Sequence, residues 1–304
     1  MTFINRTISL RFSLTVVVIV CVHFSAAQKK EAVENSLLWE VSGNGLKESS
    51  YLFGTFHLMG KVYVDSLTKV MSTFHQTKAV VGELIIDSTM MSRITQLSML
   101  KGTTLDKLLT AEEYKKTAVL FQKLTGYDLK FFNGFTPLTI QIFMLSMLQK
   151  KFYAMDQATD VAMDLYFQKL GKDSGKPVIG LESFEVQAYA SMEQFSYKRQ
   201  AELLVTSLQD PAELEKEMKE MNDLYRAGNL QKLTEMESFT DKYTPAEMAV
   251  MLDNRNKDWM QKLPAIFKQQ STFVAVGAGH LPGENGLIVL LRKAGYTVKP
   301  LAVR

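Results

Sequence analysis

Two short apolar runs from opposite ends of the chain, Ser50-Tyr51-Leu52-Phe53 and Thr272-Phe273-Val274-Ala275-Val276, end in the same device. The first leads into Gly54-Thr55-Phe56-His57 and the second into Gly277-Ala278-Gly279-His280, each a Gly-x-x-His. Runs this short and this apolar read as buried strands. In open α/β sheets, residues just past the carboxyl ends of strands build the ligand site. Imidazole is both the commonest metal ligand and a common proton carrier. The pattern therefore predicts that the two ends meet in one sheet and deliver His57 and His280 to one site. A glycine three residues before each histidine is expected to let the backbone turn tightly there. The competing reading is two unrelated histidines beside turn glycines. Of the remaining histidines, His75 closes a predicted helix and reads as structural, and His23 falls in a segment expected to be removed.

That segment opens with Arg6 and Arg11, continues through an apolar stretch from Phe12 to Phe24 and ends in Ser25-Ala26-Ala27. A positive start, a short apolar middle and small residues before the cut describe a secretory signal peptide. Residues 1–27 are thus expected to be cleaved before Gln28, leaving a domain over 28–304 and an exported, periplasmic or secreted protein. The stretch is short for a membrane span, and no second long apolar run follows. An uncleaved anchor is the alternative. Cys21 is the only cysteine, so the mature chain would hold no disulfide, thiolate metal site or cysteine nucleophile. Any metal must then be held by His, Asp or Glu. The net charge of +3 falls to +1 once Arg6 and Arg11 leave, which gives no footprint for nucleic acid.

The expected fold class is mixed α/β: a central mixed sheet flanked by helices, with a large helical insert or cap. Leu37–Val41 and Ser50–Phe53 flank Ser42-Gly43-Asn44-Gly45, a hairpin signal. Asp65 is expected to cap a helix from Ser66 to about Gln76. Strands are expected over Ala79–Ile86, with Glu83 inside it, and over Pro177–Leu181, ending at Glu182. Helices fill about 90–170 and 184–268, including an amphipathic one over Pro211–Arg226. A helix from about Asn285 to Lys293 and a strand over Thr297–Leu301 close the chain.

A carboxylate inside Val80-Val81-Gly82-Glu83-Leu84-Ile85-Ile86 is costly unless it is paired, metal-bound or at the mouth of the sheet. Glu83 is therefore the leading carboxylate, against an exposed strand-end Glu paired with a lysine. Glu182 follows its strand in the same way, unless it and Ser183 merely cap the next helix. Asp164, in an apolar helical context, is placed to orient a histidine or arginine. Arg255 is placed to clamp a carboxylate or stabilise developing negative charge. For both, an ordinary surface ion pair is the alternative. Two imidazoles and a carboxylate make a plausible site for Zn, Mn or Co. There is no Gly-x-Ser-x-Gly, no phosphate-binding glycine loop and no His-Glu-x-x-His.

The ordered motifs Tyr-Leu-Phe-Gly-Thr-Phe-His, Val-Val-Gly-Glu, Gly-Lys-Pro-Val-Ile-Gly-Leu-Glu-Ser, Asp-Asn-Arg-Asn-Lys-Asp-Trp and Val-Gly-Ala-Gly-His-Leu-Pro-Gly-Glu-Asn-Gly-Leu resemble the TraB/PrgY/GumN family. The Tiki proteases look like relatives of it. The resemblance implies a fold similar to the erythromycin-esterase and ChaN-like proteins. It further implies a metal-dependent hydrolase site in which His57, His280 and Glu83 hold a divalent ion, with Glu182, Arg255 and Asn256 beside them. Relatives often have a glycine where Met163 precedes Asp164, a departure that touches the assignment of Asp164. The activity that this resemblance implies is that of an exported metal-dependent hydrolase, a peptidase acting on a peptide or protein in the cell envelope or outside. Glu83 or Glu182 would be the general base and Arg255 the oxyanion stabiliser. The alternative is a non-catalytic protein that sequesters a secreted peptide.

Overall fold

The structure, a computed structural model, describes residues 35–152, 161–236 and 241–304. The expected signal peptide over 1–27 lies outside the described residues. The fold is mixed α/β, built on a six-stranded sheet in the order β4-β3-β5-β2-β1-β6. Strand β1 (Leu38–Gly43) and strand β2 (Ser50–Thr55) form the predicted antiparallel hairpin, with Leu38 opposite Phe53. Its turn places Asn44 at φ 48° between Gly43 and Gly45, both at φ 78°, a left-handed run that Asn and Gly tolerate best. Strands β2, β3 (Ala79–Gly82), β4 (Val178–Gly180) and β5 (Thr272–Gly277) run parallel to one another, and β6 (Tyr296–Leu301) pairs antiparallel with β1. The burial patterns follow from this arrangement. All of β3 and all but the last residue of β5 are buried, whereas β6 alternates buried and exposed along its first residues. Parallel strands covered on both faces read as continuous apolar runs, while an antiparallel edge keeps one wet face.

One face of the sheet is closed by an aromatic cluster. Phe273 of β5 lies 5.0 Å from Phe167 and 5.4 Å from Phe74, ring centre to ring centre, and Phe53 lies 5.4 Å from Phe167. Phe74 comes from the helix Thr68–Gln76 and Phe167 from the helix Met163–Asp173. The latter approaches so closely that a Cβ at Gly171 would stand 2.8 Å from a Val80 methyl. The same core continues through Val276, Trp259, Leu263, Leu287 and Leu291. A second core holds the helical insert together. There Phe121, Ile140, Met144, Leu148, Leu204 and Met218 pack among the helices Ala111–Thr125, Pro137–Phe152, Tyr197–Ser207 and Pro211–Arg226.

Three local expectations are corrected. Asp65 does not cap the helix that follows. It accepts a 2.6 Å hydrogen bond from the Tyr166 hydroxyl and pairs with Lys61, and the helix starts at Thr68 without a side-chain cap. Strand β3 stops at Gly82, so Glu83 lies at its mouth and not within it. The last helix begins at Leu287, two residues later than expected.

Candidate functional site

Each of the four parallel strands delivers one side chain just past its carboxyl end: His57 after β2, Glu83 after β3, Glu182 after β4 and His280 after β5. Strands β2 and β5 are neighbours, with Gly54 opposite Val276 and Thr55 opposite Gly277. The two Gly-x-x-His motifs therefore lie side by side, which excludes the reading of two unrelated histidines. Neither glycine has positive φ, so tight turning is not why glycine stands there. A Cβ at Gly54 would come within 3.1 Å of the Ala278 Cα. A Cβ at Gly277 would stand 3.1 Å from Glu83 Oε1, 3.6 Å from His280 Cδ2 and 3.9 Å from His57 Nε2. The glycines are needed because the two motifs and Glu83 crowd onto one point.

Glu83 is buried, and its competing reading as an exposed strand-end residue falls. Its Oε1 accepts from the Gly277 amide at 2.8 Å, and its Oε2 accepts from Arg255 Nη2 at 2.6 Å and Gln187 Nε2 at 2.7 Å. Arg255 is buried too and makes no surface pair. Its Nε donates to both oxygens of Glu182, at 3.1 and 3.0 Å, and its Nη2 to Glu182 Oε1 at 2.6 Å. Glu182 also accepts from the indole of Trp259 at 2.9 Å. The cap of the next helix is Ser183 alone, whose Oγ accepts from Val186 N. Two carboxylates thus share one guanidinium, the planar fork that suits such bridging.

His280 is held in one tautomer. The Asn256 amide nitrogen faces two carbonyls, of His280 and Asn285, at 3.2 and 2.9 Å, so its oxygen is the atom 2.7 Å from His280 Nδ1. An oxygen there requires Nδ1–H, which leaves a lone pair on Nε2. That lone pair accepts from Arg255 Nη1 at 3.1 Å. The ring lies against Trp259, tilted by 37° with the ring centres 4.3 Å apart. Burial, with the Arg255 charge beside it, pushes the imidazole down to about 3 against the pull of Glu83. Burial alone would raise the Glu83 carboxyl, but the Arg255 guanidinium, the His57 imidazolium and the Gly277 amide hold it down to about 2.

His57 differs from its twin. Its side chain is 65% exposed, and Nδ1 lies 2.8 Å from Asp164 Oδ2. The other Asp164 oxygen accepts from the Thr55 hydroxyl at 2.6 Å. The Asp164 carboxylate raises the imidazole to about 9. Asp164 is therefore the partner of a histidine, despite the unusual Met163 before it.

The family model for TraB/PrgY/gumN matches residues 37–300. The chain belongs to the TraB/PrgY/gumN family. No curated protein and no solved structure matches it. The matched span contains His57, Glu83, Glu182, Arg255 and His280.

Sequence reasoning missed Gln187 and Trp259. The second was signalled: it stands four residues after Arg255 in the same motif, one turn along a helix. Nothing in the sequence marked Gln187.

The donor set tests the expected metal. His57 keeps Nε2 open with a carboxylate behind Nδ1, which is how metal-bound histidines are oriented. His280, however, spends its Nε2 on a guanidinium, and a fixed positive charge sits where a cation would share Glu83. Among the described residues, no group of three or more His, Cys, Asp or Glu side chains is arranged to hold a metal ion. As arranged, the three-ligand set does not fit.

These shifts predict an acid-side loss of stability. His280 refuses a proton that the unfolded chain accepts below about 6.5, so stability falls as pH drops from there toward about 3. Glu83 adds to the loss below its ordinary range, as pH falls toward about 2. His57 has the opposite sign: its contribution is intact below about 6.5 and is lost as pH rises through about 9. Urea midpoints measured from pH 7 to 4 should decline, and His280→Asn should flatten that decline. Equal slopes in the two proteins would refute the assignment.

Proposed function

We propose that this chain is an exported hydrolase of peptide bonds, in which His57 supplies the proton and Glu83 the negative charge that the reaction needs. The supporting observation is an open imidazole, backed by Asp164, that shares the space above Gly277 with a buried ionised carboxylate. Pairs of titratable groups whose surroundings push them apart mark acid and base roles. His57 is raised and Glu83 lowered, so at neutral pH one carries a proton and the other does not.

In this reading a water on Glu83 Oε1 attacks the scissile carbonyl and forms the new C–O bond. The amide C–N bond then breaks, and the His57 imidazolium gives its proton to the leaving amine. The proton released by the water passes through Glu83 to restore His57. Asp164 keeps the His57 ring turned with Nε2 outward and favours its charged form. Arg255 and Glu182 do not touch substrate; they hold Glu83 in place. Export follows from the N-terminal sequence pattern, and no described helix is long and apolar enough to cross a membrane. No step is assigned to a metal.

The test is turnover of a peptide library followed by mass spectrometry, with and without chelator. Wild type should cleave with chelator present, and His57→Ala should lose about 10²–10⁴-fold in rate with its melting temperature kept. Turnover that requires added Mn, Co or Zn and disappears in both His57→Ala and His280→Ala would return the metal to the site. Tight peptide binding with no cleavage under any condition would make the protein a sequestering one.

A further inference from the structure

Met163 is completely buried, and a methionine in such a place reads as core filler. Its polar contacts say more. Three consecutive residues of the loop that ends in His57 each offer a donor: the Thr55 hydroxyl, the Phe56 amide and His57 Nδ1. Two consecutive residues receive all three. Asp164 Oδ1 takes the first at 2.6 Å, Met163 Sδ the second at 3.4 Å and Asp164 Oδ2 the third at 2.8 Å. Met163 also holds the loop beyond His57, where its own amide donates to the Met59 carbonyl at 3.3 Å. Next to it, Lys61 N donates to the Val161 carbonyl at 2.9 Å. The start of the helix Met163–Asp173 thus grips the chain on both sides of His57.

The sulfur is available for this role. The Tyr225 hydroxyl also lies 3.4 Å from it, but that hydroxyl has one proton and gives it to the Gly54 carbonyl at 2.7 Å. Phe56 is held a second time by its ring, 5.2 Å from that of Tyr225, centre to centre. A thioether is a weak acceptor, so the bond matters for where it holds the chain and not for its strength. Small misplacements of a reacting group carry large costs in rate.

We propose that Met163 is a positioning residue: through its sulfur on the Phe56 amide it fixes where His57 stands above Gly277, while Asp164 fixes how the ring is turned. The expected effect on turnover rests on the hydrolase reading; the placement of His57 does not. The competing account is that Met163 only fills space. It predicts that leucine serves equally well, because volume-conserving apolar exchanges are tolerated.

The experiment compares the whole chain with its Met163→Leu and Met163→Gln variants. Leucine keeps the volume and removes the acceptor. Glutamine keeps the length and offers an oxygen to the Phe56 amide, with the Tyr225 hydroxyl oxygen nearby to accept from its nitrogen. NMR of labelled protein at one fixed pH reads the Phe56 amide and the His57 ring C–H signals. In Met163→Leu both should move, and the Phe56 amide should exchange with deuterium about tenfold faster. Met163→Gln should bring both back toward wild type. In the peptide-cleavage assay, Met163→Leu should lower kcat by about tenfold to a hundredfold with KM unchanged, and Met163→Gln should recover most of that loss. Unmoved Phe56 and His57 signals in Met163→Leu, or no recovery in Met163→Gln, overturn the proposal. Should Met163→Leu fail to fold, the wild type decides. A protected Phe56 amide with a nuclear Overhauser contact to the Met163 methyl supports the role, and an amide that exchanges as fast as an unstructured chain overturns it. Moved signals in Met163→Leu, in a protein whose wild type cleaves no peptide, sink the hydrolase and leave the positioning role. Wild-type cleavage with unmoved signals and unchanged kcat in Met163→Leu does the reverse.

Discussion

Replacing Arg255 with methionine should destabilise the fold by about 3–5 kcal/mol, the usual cost of removing one partner from a buried ion pair. Methionine fills much of the same space, so the loss would come from charge and not from a cavity. Glu83 and Glu182 would be left as two buried carboxylates without the cation they share. Arg255→Lys keeps the charge but not the fork: one ammonium cannot reproduce donation to Glu182, Glu83, the Met251 carbonyl and His280 together. It should fall between wild type and Arg255→Met. Replacing all three groups, as Arg255→Met/Glu83→Gln/Glu182→Gln, should recover part of the loss, because no unpaired charge then remains buried. Urea denaturation at pH 7 measures all of these. A loss below about 1 kcal/mol, the scale of an exposed pair, would mean that water reaches the cluster.

The same cluster shows what a single sequence can reveal. The apolar runs of β2 and β5 announce buried strands because neither alternates, and their terminal Gly-x-x-His motifs announce a shared site. Glu83 is legible for the opposite reason: a carboxylate after Val80-Val81-Gly82 has to be explained by a partner. The partner itself is less legible. Arg255 comes from a helix far along the chain, and only the bonds of the folded protein show that it serves Glu83, Glu182 and His280 at once. The role of the glycines was misread. Sequence offers glycine as a turn-former, whereas Gly54 and Gly277 are there because a Cβ would strike the opposite motif or Glu83. Asp65 was misread in a related way. It looks like a cap by position, but the Tyr166 hydroxyl, from a distant helix, claims it. The different fates of the two histidines were not legible at all. Their local motifs match, yet one faces Asp164 and water and the other faces Asn256, Arg255 and Trp259.

That asymmetry makes Trp259 the second residue whose loss should be large. Its side chain is fully buried and meets three members of the site. It packs against the His280 ring, lies 4.9 Å beneath the Arg255 guanidinium and donates its indole N–H to Glu182. Trp259→Ala should cost about 3–5 kcal/mol through the cavity alone. Trp259→Phe separates the contributions: it keeps a ring against His280 but leaves Glu182 Oε2 short of a donor, a loss of about 1–3 kcal/mol. The informative measurement is the double-mutant cycle of Trp259→Phe with Arg255→Lys, read by urea denaturation. Both residues secure the same Glu182 carboxylate, so after either change the second removes less than it would alone. The expected coupling is about 0.5–3 kcal/mol, with the double variant less damaged than the sum. Simple additivity would show that Arg255 and Trp259 hold Glu182 independently. The buried half of the site would then be a set of separate contacts. Coupling would make it one unit, a rigid floor of His280, Arg255, Glu182 and Trp259 that fixes Glu83, while His57 alone on the open side remains free to exchange protons.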